Sequence, residues 1–453
     1  MLTSLFSDRA RLDGVRAILE KIAPLVEVQC AVQLWDGTLV PLWKKNAPEA
    51  AAGEMPRITI SGPGVISSLM RWPTLDNVLQ HYAAGRIGFE GGTMMDLCEL
   101  VRTRRKKVRL KQLGAGWVAR KLLPFALHSA DRSHVAHSAD KDGRRTATSD
   151  NQALISFHYD VGNEFYQLFL DPEMQYSCGY FTDWSNSLEQ AQRDKLDMIC
   201  RKLRLQPGDR MLDVGCGWGG LICHAAQHYG VEAVGITLSE EQLKFTQAKV
   251  RRLGLEKQIR VELRDYISME GTFDKISSIG MYEHVGIANY PAYFGKLCSL
   301  LRDNGILLNH GITRGFKASA RRFRKGRPEQ RLLQKYIFPG GELDHIGHTI
   351  ESMESCRFMI HDVEGWREHY ALTTRLWCER LSARAEEAIR LVGPEKFRLW
   401  VAYLAGVSFA FTDGSARIFQ VVATRHTAKG SSHMPPTRAD LYREQPQREI
   451  KAA

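Results

Sequence analysis

The sequence has no C-x-x-C pair, and its nine cysteines, an odd number, lie scattered from Cys30 to Cys378. Reduced, mostly buried thiols of a cytoplasmic protein are therefore expected rather than a disulfide framework. It also lacks any run of about eighteen apolar residues. The opening stretch, MLTSLFSDRARLDGVRAIL, shows no apolar segment behind a basic start. Neither export nor membrane spanning is expected from this chain. Internal repeats are missing too, which leaves an ordinary globular chain of two or three domains, since 453 residues at 44% hydrophobic can bury a sizeable core. Acidic residues fall short of basic ones, for a net charge of +11. That excess calls for a polyanionic partner, either nucleic acid or an anionic membrane surface.

Along the chain, residues 1–127 read as a small α/β accessory domain, with a strand in PRITISG (56–62). A basic cluster follows that strand: Arg102, Arg104, Arg105, Lys106, Lys107, Arg109 and Lys111. It reads equally as a solvated helix face and as a membrane-surface patch. Residues 128–152 are polar and read as a linker, and the tail 427–453 reads as flexible. Between them, MLDVGCG (211–217), VEAVGIT (231–237), IRVELRD (259–265), FDKISSIGM (273–281) and GILLNHGI (305–312) are strand-like and alternate with helix-period segments. Strands spaced by helices imply parallel pairing in a doubly wound sheet. Ser187/Gln190 and Ser239/Gln242 read as capping boxes opening two of the helices.

LDVGCGWGG (212–220) joins a strand to a helix, and Gly215, Gly217 and Gly219 let its backbone turn tightly against a ligand. The spacing departs from the dinucleotide pattern G-x-G-x-x-G. S-adenosylmethionine, which has no pyrophosphate, suits the loop better, with Asp213 placed to face its ammonium end. Thr237 and Leu238 close the second strand. Asp265 closes the third and offers an acceptor to the adenine amino group, whereas Gln242 serves either the ligand or the helix cap.

Six stretches then identify a family: FHYDVGNEFYQLFLDPEMQYSCGYF (157–181), LDVGCGWGG, GITLSEEQ (235–242), GMYEHVG (280–286), YIFPGGEL (336–343) and FQVVATR (419–425). Together, in order and spacing, they closely resemble the cyclopropane-fatty-acyl-phospholipid synthases, including the mycolic acid cyclopropane synthase-like members. The resemblance runs from about Ala153 to Arg425. It implies a seven-stranded, doubly wound, Rossmann-like methyltransferase domain over 153–426, with helices covering an acyl chain. It further implies S-adenosylmethionine as methyl donor, a bicarbonate ion as base, a cis-unsaturated phospholipid as substrate at the inner face of the membrane, and a homodimer as the family's frequent state. Carried over by motif position, the bicarbonate partners are Glu283, His310 and Tyr370 through side chains and Cys178 and Ile312 through backbone groups. Tyr176 and Ser177 then lie beside the donor. On residue type alone, Glu283 after an apolar strand favours function, while His310 and Tyr370 would pass for core residues.

Two departures from the family pattern stand out. Val407 in YLAGVSF occupies a position where many members carry cysteine, so that thiol is dispensable if this chain is active. Residues 344–361 replace the usual continuation after FPGGEL, and their novelty points to a shaped acyl pocket. His345, His348 and His361 lack further ligands at matching spacing, so no metal is expected. The same base site would serve a fatty-acyl C-methyltransferase giving a methyl-branched chain. A non-catalytic lipid-binding protein is the more distant reading. Nucleic acid is not expected as a partner, because no D/N-P-P-Y/F tetrapeptide for a flipped amino base is present.

Overall fold

A computed structural model describes residues 6–43, 55–103, 110–132, 161–317, 319, 323, 328–428 and 430–442. The chain divides into two compact units. The first takes residues 1–138, 327–332 and 378–406. It is therefore discontinuous: residues 378–406, which the sequence reading placed in the methyltransferase domain, fold with the N-terminal segment.

In this first unit, strands β1 (Ala31–Gln33), β2 (Leu39–Pro41), β3 (Arg57–Ile60) and β4 (Ile87–Glu90) form a sheet in the order β2-β1-β3-β4. Strand β3 is the one read in PRITISG. The Asp8–Val26 helix packs Val15 against Val32, Val40 and Phe125. Ser7 caps it by accepting from Ala10 N at 3.2 Å, which satisfies one of the free amides of its first turn. From the returning segment, Arg398 Nη1 donates to Ala83 O at 3.1 Å. Part of the supposed linker belongs here too. Arg71 Nη2 donates to His128 O at 2.8 Å, and Asp131 N donates to Gly64 O at 3.0 Å. Residues 133–152 lie outside the described residues, as does most of the basic cluster; Arg102 is exposed.

The second unit carries a seven-stranded sheet in the order β10-β11-β9-β8-β5-β6-β7. Its strands are β5 (Arg210–Val214), β6 (Glu232–Thr237), β7 (Ile259–Leu263), β8 (Phe273–Ile279), β9 (Leu301–Arg314), β10 (Phe358–Gly365) and β11 (Ala416–Arg425). From β9 to β7 all neighbours are parallel; β10 and β11 add an antiparallel edge. Strands covered on both faces need apolar residues at nearly every position, which is why five of them stood out in the sequence. One face packs Ile306, Leu308 and Val422 against the Leu188–Leu203 and Gly220–Tyr229 helices. The other packs Leu307, Val421 and Ala423 against the Tyr290–Leu300 helix and Met353.

The two capping boxes form only by half. Ser187 and Ser239 accept from the amides of Gln190 and Gln242, but Gln190 Nε2 donates to Asp194 and Gln242 Oε1 accepts from Thr237. At the second cap, Thr237 Oγ1 already accepts from Ser239 N at 3.2 Å, so the glutamine is released for another task.

Residues 344–361 fold as the Ile346–Ser355 helix followed by the start of edge strand β10. Their histidines go separate ways. His345 caps that helix, His348 pairs with Asp344, and His361 Nε2 lies 2.8 Å from Thr424 Oγ1.

The tail reading needs correction over residues 430–442, while residues 443–453 lie outside the described residues. Leu441 is buried, Arg204 Nε lies 3.0 Å from Asp440, Arg438 Nη1 donates to Asp362 at 2.7 Å, and Arg201 Nη1 donates to Leu441 O at 3.2 Å. One leucine and three arginine contacts dock a stretch whose polar composition suggests fraying. Leu441→Ala is expected to cost about 2 kcal/mol in urea unfolding. An unchanged midpoint would mean that this docking contributes nothing.

Candidate active site

The glycine loop follows β5 at the carboxyl edge of the sheet. Gly215 and Cys216 both donate their amides to Ile236 O, at 3.0 and 2.9 Å, which holds the loop over β6. Gly219 ends the loop with φ of 76° and opens the Gly220–Tyr229 helix. A Cβ there would lie 2.3 Å from Thr246 Cγ2, so no side chain fits. Gly215, Gly217, Thr237, Leu238, Gln242 and Asp265 line a single cleft, which brings six of the ten expected donor-site residues together. Thr237 Oγ1 donates to Gln242 Oε1 at 2.8 Å, which fixes that amide within the cleft. Asp265 Oδ1 accepts from Ile267 N at 2.9 Å and caps the short turn that follows it.

Asp213 departs from its expected place. It is buried beneath the loop, it does not line the cleft, and its Oδ1 accepts from Ser277 Oγ at 2.6 Å. Burial pushes its carboxyl up to about 6, against the opposing effects of the Ser277 bond and the Lys195 charge. Strand side chains alternate between the two faces, and Asp213 shares a face with its register partner Ser277 of β8, which takes its carboxylate.

Tyr176 and Ser177 open the stretch YSCGYF (176–181), a strap that packs on the Leu188–Leu203 helix. Tyr176 stacks on Trp377 with centroids 5.2 Å apart and meets Tyr166 at 5.2 Å. Tyr166 in turn leans on Trp218 of the glycine loop at 5.0 Å, while Trp218 Nε1 donates to Asn163 at 2.7 Å. This aromatic wall was not foreseen as a unit. Cys178 is fully buried, its Sγ donates to the carbonyls of Gly179 and Trp366 at 3.2 and 3.7 Å, and burial drives its thiol well above the usual range. A thiol that remains protonated is no nucleophile.

Trp366 gathers the remaining residues. Its ring meets His310 edge-on at 5.2 Å, and its carbonyl receives Tyr370 N at 3.0 Å. Tyr370 packs on Phe411 at 4.7 Å and edge-on to Trp377 at 6.0 Å, the same indole on which Tyr176 stacks. Two residues beyond His310, Ile312 N donates to Glu283 Oε1 at 2.6 Å, and Ile312 O accepts from Tyr282 Oη at 3.1 Å. Both backbone groups of Ile312 are thus engaged with the Tyr282–Glu283 pair, so its amide acts by holding Glu283. Tyr282 packs against Gly311, where a Cβ would stand 1.8 Å from the ring, so only glycine lets the Tyr282–Val285 turn approach β9 this closely.

Glu283 Oε2 and His310 Nε2 are both buried and have no hydrogen-bond partner among the described residues. Burial pushes Glu283 up to about 7, partly opposed by the Ile312 amide. It also holds His310 well below its usual range, with Lys195 and Lys202 adding to the effect. Two unsatisfied groups in one dry region are costly unless a ligand meets them.

Sequence reasoning missed two residue sets. His284, whose imidazole burial lowers to about 4, lines the cleft directly after Glu283. On the Leu188–Leu203 helix, Gln192, Lys195 and Lys202 are buried alongside Leu188, Ala191, Leu196 and Ile199. Polar residues at the apolar positions of a helical stripe were the available signal. Lys195 Nζ donates to Ser177 Oγ at 2.9 Å and to Gln175 Oε1. Gln192 Nε2 donates to Ser177 O at 2.9 Å. Desolvation brings Lys195 down to about 8, against the pull of Asp171, Cys178 and Asp213.

With this geometry in view, likeness to known proteins decides the class. The mycolic acid cyclopropane synthetase family profile matches residues 146–421. The chain belongs to that family. Its members' fold agrees: the cyclopropane synthase MmaA2 from Mycobacterium tuberculosis superposes with a TM-score of 0.58 at 31% identity, covering 62% of this chain and all of that one. A probable fatty acid methyltransferase of Pseudomonas putida is 37% identical over 91% of this chain and 96% of its own length. The cyclopropane-fatty-acyl-phospholipid synthase of Escherichia coli is 39% identical over 60% of this chain and 68% of its own length. This chain is accordingly an S-adenosylmethionine-dependent methyltransferase of the cyclopropane synthase family.

Glu283 supplies a test of the site. Its folded pKa lies above the ordinary carboxylate value, so its contribution to stability is fully present at low pH and is lost as pH rises through about 7. Glu283→Gln is expected to unfold at higher urea than the parent at pH 8, by up to roughly 3 kcal/mol, with the gap closing near pH 4. Its turnover should fall about 100-fold with donor affinity unchanged. Full activity would remove Glu283 from the chemistry.

Proposed function

We propose that this enzyme transfers a methylene group from S-adenosylmethionine to the cis double bond of unsaturated acyl chains in membrane phospholipids, giving cyclopropane fatty acids. The observation that carries the reading is the pair of buried, unpartnered atoms, Glu283 Oε2 and His310 Nε2, the latter edge-on to the Trp366 ring. An isolated alkene is a weak nucleophile, and attack on the sulfonium methyl leaves a thioether and a carbocation on the chain. One proton must then leave the added methyl for the ring to close, for a net gain of CH2. Water would intercept the cation, so the aromatic wall from Tyr166 to Trp377 serves by exclusion.

Bicarbonate fits the two unsatisfied atoms, because it both accepts and donates hydrogen bonds, as the neutral His310 and a carboxylate at Glu283 require. Glu283 and His310 would hold it, with Tyr370 and the Cys178 backbone beside them. When bound, it supplies a small base for the departing proton. Ile312 keeps Glu283 aimed, and Trp366 keeps His310 upright. An apolar cavity of about 320 Å³, lined by Phe316, Ile346 and Phe419, opens beside Thr313 and offers room for part of the acyl chain.

A second reading gives a methyl-branched, unsaturated chain. It is favoured by two relatives matched over large shares of this chain, both called probable fatty acid methyltransferases: the Pseudomonas putida protein and one from Mycobacterium tuberculosis, 38% identical over 78% of this chain. Only the carbon that surrenders the proton differs.

Access to phospholipid requires a membrane surface. Among the described residues no helix is long and apolar enough to span one, and the net charge is +11. Peripheral binding to anionic vesicles is expected, weakening as salt is raised. Equal binding to neutral vesicles would argue against an electrostatic dock.

The product decides the reaction. Purified protein is incubated with S-adenosylmethionine and vesicles of cis-monounsaturated phospholipid, and the fatty acids are analysed by gas chromatography and mass spectrometry before and after hydrogenation that spares the ring. A product heavier by one CH2 that resists hydrogenation is the expected result. One that takes up hydrogen establishes branching instead, and no product at all would overturn the lipid assignment.

A further inference from the structure

Behind His310 runs a row of buried hydrogen bonds. In the sheet, His310 of β9 pairs directly with Gln420 of β11, and Gln420 Nε2 lies 2.8 Å from His310 Nδ1. On its other side, Gln420 Oε1 accepts from Lys202 Nζ at 2.7 Å. Lys202 is 1% exposed, Gln420 0% and His310 1%, so no solvent competes along the row. Lys202 also contacts Glu364 and lies 5.1 Å from the Trp366 ring centroid.

The order of atoms follows from what each group is able to do. An ammonium has hydrogens and no lone pair, so the amide atom facing Lys202 must be oxygen. The amide atom facing His310 is then the NH2, which donates and does not accept. His310 Nδ1 must therefore be the bare nitrogen. A neutral imidazole with bare Nδ1 carries its proton on Nε2, the atom that is buried without a partner.

We infer that Lys202 and Gln420 are positioning residues that fix His310 as its Nε2–H tautomer, so that the site presents a neutral donor to whatever oxygen occupies it. Without Lys202 the amide of Gln420 is free to turn over, and the ring loses its reason to keep the proton on one nitrogen. Glu364 takes part through Lys202, by holding its ammonium against β10 and β11. The row supplies orientation and makes or breaks no covalent bond.

That His310 belongs to the reacting site rests on the reading proposed above; its tautomer does not. The protein is labelled with 15N at the histidine rings and observed by long-range proton–nitrogen correlation, with His310 assigned by difference from His310→Gln. The parent should show a bare Nδ1 and a protonated Nε2. Gln420→Glu puts an acceptor behind the ring while keeping a partner for Lys202. It should move the proton to Nδ1 and lower kcat about 100-fold, leaving KM for S-adenosylmethionine within about twofold. Lys202→Met should give two tautomers in place of one.

A parent ring with its proton on Nδ1 overturns the inference even if every variant fails to fold. A Gln420→Glu protein that loses turnover while the proton stays on Nε2 also overturns it, because the loss would then be merely structural. If the tautomer behaves as stated but His310→Gln retains full turnover, the relay stands and the placement of His310 in the reacting site falls.

Discussion

Two ammonium groups, those of Lys195 and Lys202, are buried on one face of the Leu188–Leu203 helix, and the order of the whole site follows from how they are satisfied. Taking an ammonium out of water costs several kcal/mol even after relaxation, so each must find fixed acceptors. Lys195 finds Ser177 and Gln175 on the strap that carries Tyr176 and Cys178. Lys202 finds Glu364 on β10 and Gln420 on β11. The helix stripe of Leu188, Ala191, Leu196 and Ile199 sets the register, and the two charges forbid any other. One helix thus locks the strap over the glycine loop and the antiparallel edge behind His310 at once.

The same dryness that makes the lysines costly also sets the protonation of Glu283 and His310. Burial moves Glu283 up and His310 down, so each is shifted toward its neutral form at ordinary pH. A site that must tolerate a carbocation has little use for bulk water, and aromatic walls exclude it without offering a nucleophile. Cys178 fits this description: its sulfur, the most nucleophilic atom nearby in principle, is held protonated and points at backbone carbonyls.

The parts visible in the sequence were those governed by local pattern. Strands β5 to β9 were readable because a parallel sheet covered on both faces requires continuous apolar runs, and the glycine loop because Gly219 has no room for a Cβ. What escaped depends on contacts distant in sequence. Gln420 meets His310 only through the pairing of β11 with β9, and Lys202 reads as a solvated residue until its helix is laid on the sheet. The return of residues 378–406 to the first unit is not marked by the local pattern, since the segment alternates apolar and charged residues as a helix in either unit would. Asp213 was misplaced because its position in the motif says that it is near the ligand but not on which side of the strand it falls. Leu441 was overlooked because a single buried leucine in a polar tail has no periodicity to reveal it.

Under the function proposed above, ring closure and branching would share every residue that handles the proton, and this limits where product choice can reside. Glu283, His310 and the Gln420–Lys202 row fix where an acceptor sits, but the hydrogen it removes depends on which carbon of the chain is presented to it. Presentation is set by the walls that hold the acyl chain on either side of the double bond. Of the divergent segment 344–361, its beginning, at His345, Ile346 and Gly347, lines the apolar cavity beside Thr313; Met353 and the start of β10 further along are committed to the core and to pairing with β11. Under the proposed reading, variation at that turn, together with Phe316 and Phe419, would move the chain without touching the base site. A difference in product between members of this family therefore requires no difference in their catalytic residues.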